Sequence, residues 1–196
     1  MNRKGNYRKQ KNLIIIVCQG LETEPNYFRH FSKENGSFLL KIKAKGKDPI
    51  SLMKYAKYLK ENEFALSRND KIYCIYDVNS TSEKSLKIAQ ELAKNIGLTP
   101  CISNPCFELW FLLHFAYSTS GLSSYSDVKR DLIKYISRYD KSMDVHDQLL
   151  PKQPNAIRHA KELDNHHKRV GICSIRGCNP STEIYKLVEY LNKLNL

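Results

Sequence analysis

The sequence predicts an α/β protein in which a mostly parallel sheet is flanked by helices and followed by a helical C-terminal extension. Two runs, residues 13–18 (LIIIVC) and 71–76 (KIYCIY), are almost wholly apolar, as strands of a parallel sheet covered on both faces are. Segments with helical periodicity alternate with strands up to about residue 117, and beyond it the pattern is helical. We therefore divide the chain into a flexible basic arm (1–12), an α/β core (13–117) and a helical extension (118–196) packed on the core as one compact domain.

The remaining elements of the core follow from its turn residues, helix caps and apolar spacing. Polar residues after the first strand lead into a helix predicted at 25–34, with Thr23 as its N-cap. The other predicted strands cover residues 38–43 and 98–102, and the other predicted helices cover 50–66, 83–96 and 103–115. A serine or threonine at 80–82 caps the helix at 83–96, and Gly97 ends it.

The extension is predicted to consist of helices joined by polar loops. A loop rich in serine and glycine at 118–126 precedes helices predicted at 127–137 and 155–166. A last amphipathic helix ends near Leu194, and residues 178–182 are expected to cap it.

The charge of the chain favours a polyanionic partner. Lysine and arginine number 32 against 20 acidic residues, which gives a net charge of +12 and a pI near 9.4. Such an excess is typical of proteins that bind nucleic acid. No apolar run approaches the ~18 residues of a membrane span, and the first twelve residues lack the apolar segment of a signal peptide. We therefore expect a cytoplasmic protein that does not bind membranes.

Polar side chains follow two of the predicted strands and form a candidate metal site. Gln19, Glu22 and Glu24 come after the first strand, and Asp77 and Asn79 after the strand at 71–76. Ligands of open α/β sheets bind outside the carboxyl ends of the strands, and carboxylate and carbonyl oxygens suit Mg²⁺ or Mn²⁺. Such an ion would bind a phosphodiester oxygen and help to generate a water nucleophile. The pattern therefore predicts a metal-dependent phosphodiesterase if the two strands are neighbours.

Glu108 is a further candidate because it lies in an otherwise apolar segment (CFELWFLLHF). A buried carboxylate without a partner costs several kcal/mol or takes up a proton. Glu108 therefore has either a functional role at the edge of the crevice or a structural one as a capping carboxylate near the start of its own helix.

Other polar residues are candidates for contacts with phosphate. The arm could bind a nucleic-acid backbone, two residues of the extension could contact a phosphate, and the start of the last helix offers backbone N–H groups to an anion. These candidates are Lys9, Lys11, Lys141, His146, Asn179, Ser181 and Thr182. For each of them, a solvated tail, a polar loop or an ordinary helix cap is the structural alternative.

Three motifs together resemble a known family. A strand followed by an acidic T-E turn and a second strand ending in D-x-D is the pattern of Toprim domains. VCQGLETEPNYF, SNPCFELWFLLHF and NPST resemble more closely the RloB-like family of AbiLii-type abortive-infection proteins, over about residues 12–192. The resemblance implies a Toprim core, a role in bacterial anti-phage defence beside an ABC- or AAA-type ATPase, and a metal-dependent nuclease activity on DNA or RNA.

The sequence departs from the Toprim pattern at two positions. Gln19 stands where a catalytic glutamate is usual and Asn79 where a metal-binding aspartate is usual, whereas Asp77, Glu24 and Glu108 match. A glutamine side chain cannot shuttle a proton. Three interpretations stay open: a site rebuilt from the four acids including Glu22, a Gln19 introduced to silence the enzyme, or a degenerate module that binds nucleic acid or a partner without cleavage.

Overall fold

The computed structural model describes residues 11–32, 36–46, 48–79, 81–172 and 174–195. In these residues the chain forms one five-stranded sheet with strand order β2-β1-β3-β4-β5, in which β5 alone is antiparallel to its neighbour. The strands are β1 (Asn12–Cys18), β2 (Phe38–Ala44), β3 (Lys71–Asp77), β4 (Thr99–Asn104) and β5 (Ser181–Thr182). The predicted α/β fold with a mostly parallel sheet is confirmed.

Helices cover both faces of this sheet. They are α1 (Thr23–Phe28), α2 (Pro49–Tyr58), α3 (Glu83–Ile96), α4 (Glu108–Leu112), α5 (Tyr125–Leu132), α6 (His146–Leu149), α7 (Gln153–Arg169) and α8 (Ile184–Leu194). Alternate residues of β1 point to opposite faces. Ile14 and Ile16 share an apolar cluster with α1 and the C-terminal helices, whereas Ile15 and Val17 share one with α2 and α3. Both clusters are buried, which explains the continuous apolar run of β1.

The helix at 83–96 forms as predicted because both of its ends are specified locally. Ser82 Oγ accepts a hydrogen bond from the Ser85 N–H at 3.1 Å. Gly97 ends the helix in the left-handed conformation, with φ of 74°, which glycine adopts without a steric penalty.

The first two helices differ from their predicted bounds. Helix α1 begins at Thr23 with Glu22 in the N-cap position, so the prediction that Thr23 is the cap was wrong. A 3₁₀ turn (Arg29–Phe31) continues α1, and Ser32 is already extended. Helix α2 widens into a π-helical turn (Leu59–Glu63) and does not reach residue 66.

The segment predicted as one long helix at 103–115 is divided between a strand and a short helix. Ser103 and Asn104 belong to β4, and the Asn104–Pro105 peptide bond is cis. Asn104 donates side-chain hydrogen bonds of 2.9–3.2 Å to three carbonyl groups in the loop before β5. These tertiary contacts outweigh the local tendency of serine and asparagine to cap a helix, and α4 begins only at Glu108.

The C-terminal part also contains a strand that the sequence did not predict. Ser181 and Thr182 pair with Asn104 and Ser103, so they extend the sheet instead of capping the last helix. The position before α8 is occupied by Glu183, although Thr182 Oγ1 still accepts a hydrogen bond from the Ile184 N–H at 3.3 Å. Among the helices of the described residues, none is long and apolar enough to cross a lipid bilayer.

Candidate functional site

The order of the strands reverses between β1 and β3. The chain passes from β1 to β2 on one side and then returns to β3 on the other side. In open α/β sheets, such a reversal creates the crevice in which ligands bind. Gln19 Oε1 accepts a hydrogen bond of 2.9 Å from the Asp77 N–H, so the residues after the two strands are in contact, as the site prediction requires.

Three carboxyl groups form an acidic cluster at this crevice: Glu24, Asp77 and Glu108. Glu24 and Glu108 are only 4% and 1% exposed. Glu24 Oε1 accepts a hydrogen bond from the Gly20 N–H at 2.9 Å. A Cβ atom on Gly20 would overlap the Glu24 carboxylate, so the close approach of backbone and carboxylate requires glycine.

The short helix α4 brings Glu108 to the cluster, and residues distant in sequence contact it there. Thr23 donates a hydrogen bond from its hydroxyl to Glu108 Oε1 at 3.2 Å. Lys141 Nζ lies 3.6 Å from the same oxygen and 4.3 Å from the centre of the Tyr125 ring. Glu108 therefore has partners and a place in the crevice, and it is not a free capping group on a helix surface.

Burial and mutual repulsion alter the protonation of the cluster. Burial raises the pKa of Glu24 from 4.5 to about 7, and the nearby Glu108 carboxylate adds to the effect while hydrogen bonds oppose it. Burial and then the charges of Glu24 and Glu108 raise the pKa of Asp77 well above its ordinary value, whereas Lys141 acts in the opposite direction. Burial and then the charges of Glu108 and Asp77 likewise raise the pKa of the Cys106 thiol. Full ionisation of the cluster would therefore place more negative charge there than its surroundings compensate.

Two buried oxygens of the cluster have no hydrogen-bond partner among the described residues: Asp77 Oδ1 and Glu108 Oε2. Buried oxygens of this kind are rare because their desolvation is costly. A proton or a cation would satisfy them. Within the described part of the chain, however, no group of three or more His, Cys, Asp or Glu side chains is arranged to hold one metal ion. The cluster therefore offers carboxylate oxygens, which hard cations prefer, but the described side chains do not form a complete set of metal ligands.

Two other predicted ligands lie outside the cluster. Glu22 is exposed at the start of α1, whereas Glu24, two residues later, is buried. Asn79 is exposed in a left-handed turn with φ of 36°, and its backbone N–H donates to the Pro105 carbonyl at 3.1 Å. The structure therefore separates these two residues from the acidic cluster.

Lys11 lies at the opposite end of β1 from the acidic cluster. Lys11 directly precedes β1, whereas the acidic cluster lies beyond the carboxyl end of that seven-residue strand. At the ordinary rise of a strand, this separation is about 20 Å. Lys9 lies outside the described residues, as does the rest of the arm before Lys11.

The remaining phosphate candidates make contacts elsewhere. His146 stacks on His30 with 3.9 Å between ring centres, near the end of α1 that is remote from Glu24. Asn179 bonds through its side chain to the backbone N–H and carbonyl of Leu122. Ser181 and Thr182 belong to β5, so the predicted phosphate cradle at the start of a helix is not present at these residues. Of the predicted phosphate ligands in the described chain, Lys141 is the one that reaches the acidic cluster.

Four residues at the cluster were not predicted to take part in it: Gly20, Thr23, Cys106 and Tyr125. Gly20 and Thr23 belong to the GLETE turn, where a glycine four residues before Glu24 was an available signal. Tyr125 gave no sequence signal because its contact with Lys141 and its proximity to Glu108 arise from tertiary packing.

Taken together, the fold and this site define an α/β protein with a buried acidic centre at the reversal point of a parallel sheet. The model of the RloB-like protein family matches residues 14–191. The chain therefore belongs to the RloB-like family, as its motifs indicated. No significant match was found among curated proteins or among solved structures.

Proposed function

We propose that this protein is a metal-dependent phosphodiesterase of the Toprim type that cleaves nucleic acid. The observation that carries the proposal is the convergence of Glu24, Asp77 and Glu108 in the crevice between β1 and β3. Their burial without an equal number of positive charges is costly for a purely structural cluster. A functional requirement for carboxylates at this place explains their presence there.

The residues present fit a bound Mg²⁺ or Mn²⁺. Asp77 and Glu108 each have one buried oxygen without a partner, and carboxylate oxygens are the preferred ligands of both ions. Mg²⁺ in particular is often held by one or two carboxylates and several waters, which agrees with an incomplete protein ligand set. Bound there, the ion would polarise a phosphodiester group and promote formation of a water nucleophile.

The other residues of the site would position these groups and move a proton. The carboxyl group of Glu24 has a pKa of about 7, which suits proton transfer near neutral pH. Thr23 orients Glu108 through the hydroxyl hydrogen bond. Gln19 uses its oxygen to hold the Asp77 backbone, so it would align the ends of β1 and β3 without taking part in proton transfer.

Family membership supports the wider biological part of the proposal. We place the protein in the bacterial cytoplasm, where it would act in abortive-infection defence against phage beside an ABC- or AAA-type ATPase. The net charge of +12 agrees with a nucleic-acid substrate, DNA or RNA.

The test is a cleavage assay on RNA and DNA with Mg²⁺ or Mn²⁺, with and without EDTA. Asp77→Asn should abolish cleavage and weaken divalent binding while the protein stays folded, because the variant keeps the shape of the side chain and removes its charge. Glu22→Gln is the matched control and should retain activity, because Glu22 is exposed outside the cluster. Full activity of Asp77→Asn would refute the proposed site.

The Gln19→Glu variant shows whether the site of this chain is active as it stands or is silenced by the glutamine. A glutamate can accept the same hydrogen bond from the Asp77 N–H and adds a fourth carboxylate to the crevice. Activity in both forms means that the present acids suffice, whereas activity in Gln19→Glu alone means that this chain is a silenced nuclease.

The alternative function is a nucleic-acid-binding module without catalysis. It is favoured by the incomplete ligand set and by the structural use of the Gln19 oxygen. This function predicts binding that survives EDTA and falls steeply with salt, with no cleavage by wild type or by Gln19→Glu.

A further inference from the structure

Lys141 contributes positive charge to the acidic cluster from a loop outside the sheet. Its Nζ lies 3.6 Å from Glu108 Oε1 and over the face of Tyr125. Burial lowers the pKa of Lys141, but the carboxylates of Glu108 and Asp77 outweigh that effect and raise it. The ammonium group is thus held beside one oxygen of the carboxylate whose other oxygen, Glu108 Oε2, is the proposed metal ligand.

The loop that carries this lysine is held to α1 partly by exposed polar contacts. Residues 140–144, which we name the strap, run between the buried side chains of Tyr139 and Val145. The strap contacts α1 through polar groups, including the Asn26 side chain with the Ser142 carbonyl at 3.3 Å. These exposed contacts contribute little to stability, whereas Thr23 Oγ1 also donates to the Lys141 carbonyl at 3.4 Å and Met143 packs against the core. The backbone of the strap is therefore anchored, and the Lys141 side chain is the part that is free to move.

We propose that Lys141 is a resident counter-cation of the acidic cluster and that a divalent ion displaces it. The inference rests on the proposed function, because it concerns the same metal site. Glu108 Oε1 faces the ammonium, and a divalent ion bound at Asp77 and Glu108 would repel that group at short range. Metal binding therefore frees the Lys141 side chain.

The consequence for function is a coupling between metal loading and substrate binding. Without a divalent ion, Lys141 is engaged by a carboxylate and is not available for phosphate. Once displaced, the ammonium stays tethered beside the crevice, where it can bind the phosphate of a phosphodiester. The Lys141 ammonium is then available to nucleic acid only when a metal ion occupies the site.

The first test compares Mn²⁺ binding by wild type, Lys141→Met and Lys134→Met with isothermal calorimetry at pH 8. Loss of the competing charge should tighten Mn²⁺ binding to Lys141→Met about tenfold, which corresponds to ~1.4 kcal/mol. Alkaline pH limits competition from protons, since removing Lys141 also raises the pKa of Asp77. Lys134 is paired with Asp131 on the surface, so Lys134→Met should bind Mn²⁺ as wild type does.

The second test uses wild type alone and does not depend on the folding of a variant. Lysines are acetylated with a limiting amount of an amine-reactive ester, and the modification at each position is measured by mass spectrometry. Mn²⁺ should increase the acetylation rate of Lys141 several-fold and leave that of Lys134 unchanged. A rate for Lys141 that does not respond to a saturating concentration of Mn²⁺ would overturn the displacement.

The outcomes separate this inference from the proposed function. Equal or weaker Mn²⁺ binding by a folded Lys141→Met overturns the counter-cation role and leaves the metal site intact. Absence of Mn²⁺ binding by every form, including wild type, overturns both.

Discussion

The buried position of Glu24 predicts that the protein becomes less stable as the pH rises from about 4.5 to 7. Its folded-state pKa of about 7 exceeds the ordinary value of 4.5, so the folded protein retains a proton that the unfolded chain has lost. Stability therefore falls with rising pH across this interval and levels off above it. The difference in pKa corresponds to ~3 kcal/mol of free energy of unfolding at pH 8.

Glu24→Gln tests this directly. Glutamine keeps the oxygen that accepts from the Gly20 N–H and never ionises. The variant should match wild type near pH 4.5 and exceed it by ~3 kcal/mol at pH 8. Removal of the Glu24 charge also relieves its repulsion of Asp77, which further stabilises the variant relative to wild type at high pH.

The measurement is urea unfolding followed by circular dichroism at pH 5, 6, 7 and 8 in the presence of EDTA. Glu22→Gln makes the same chemical change two residues away at an exposed position, and it should follow wild type at every pH. A difference between Glu24→Gln and wild type that does not vary with pH would show that Glu24 ionises normally in the folded protein and would refute the reasoning.

Substitutions at three further positions test local contacts by urea unfolding. Gly20→Ala should destabilise by ~1–3 kcal/mol because its Cβ overlaps the Glu24 carboxylate, and wild-type stability would contradict that geometry. Asn104→Ala should cost ~2–3 kcal/mol because three loop carbonyls lose their donor; a loss below ~0.5 kcal/mol would show that water replaces the amide. Ser82→Ala should cost ~1 kcal/mol through loss of the N-cap of α3, whereas Ser82→Gly should cost only a few tenths; equal losses would contradict the capping role.

The sequence alone was sufficient for the elements whose stability is local. The apolar runs of β1 and β3 and the capped helix α3 were predicted within about one residue of their observed bounds. Their patterns depend on neighbouring residues only: burial on both faces of a strand, a serine at one helix end and a glycine at the other. The polar turns after β1 and β3, which carry Gln19 and Asp77, were predicted in the same way, but their meeting in one crevice depended on the two strands being neighbours, as the structure shows.

Tertiary structure decided the features that join distant segments. Ser103, Asn104, Ser181 and Thr182 have the composition of helix caps, yet they form paired strands because each finds a partner about 75–80 residues away. Strand pairing and the side-chain bonds of Asn104 satisfy more polar groups than a local cap would.

The same distinction applies to the site. Glu24, Asp77 and Glu108 were recognisable as chemical candidates from the sequence. The burial of Glu24 and Glu108, the exposure of Glu22 and the approach of Lys141 depend instead on how α1, α4 and the strap pack. The sequence by itself determined the sheet, its polar carboxyl edge and the acids available there. Only the packing of helices onto that edge decided which acids lose their contact with water, because desolvation depends on every element that surrounds a group and not on its neighbours along the chain.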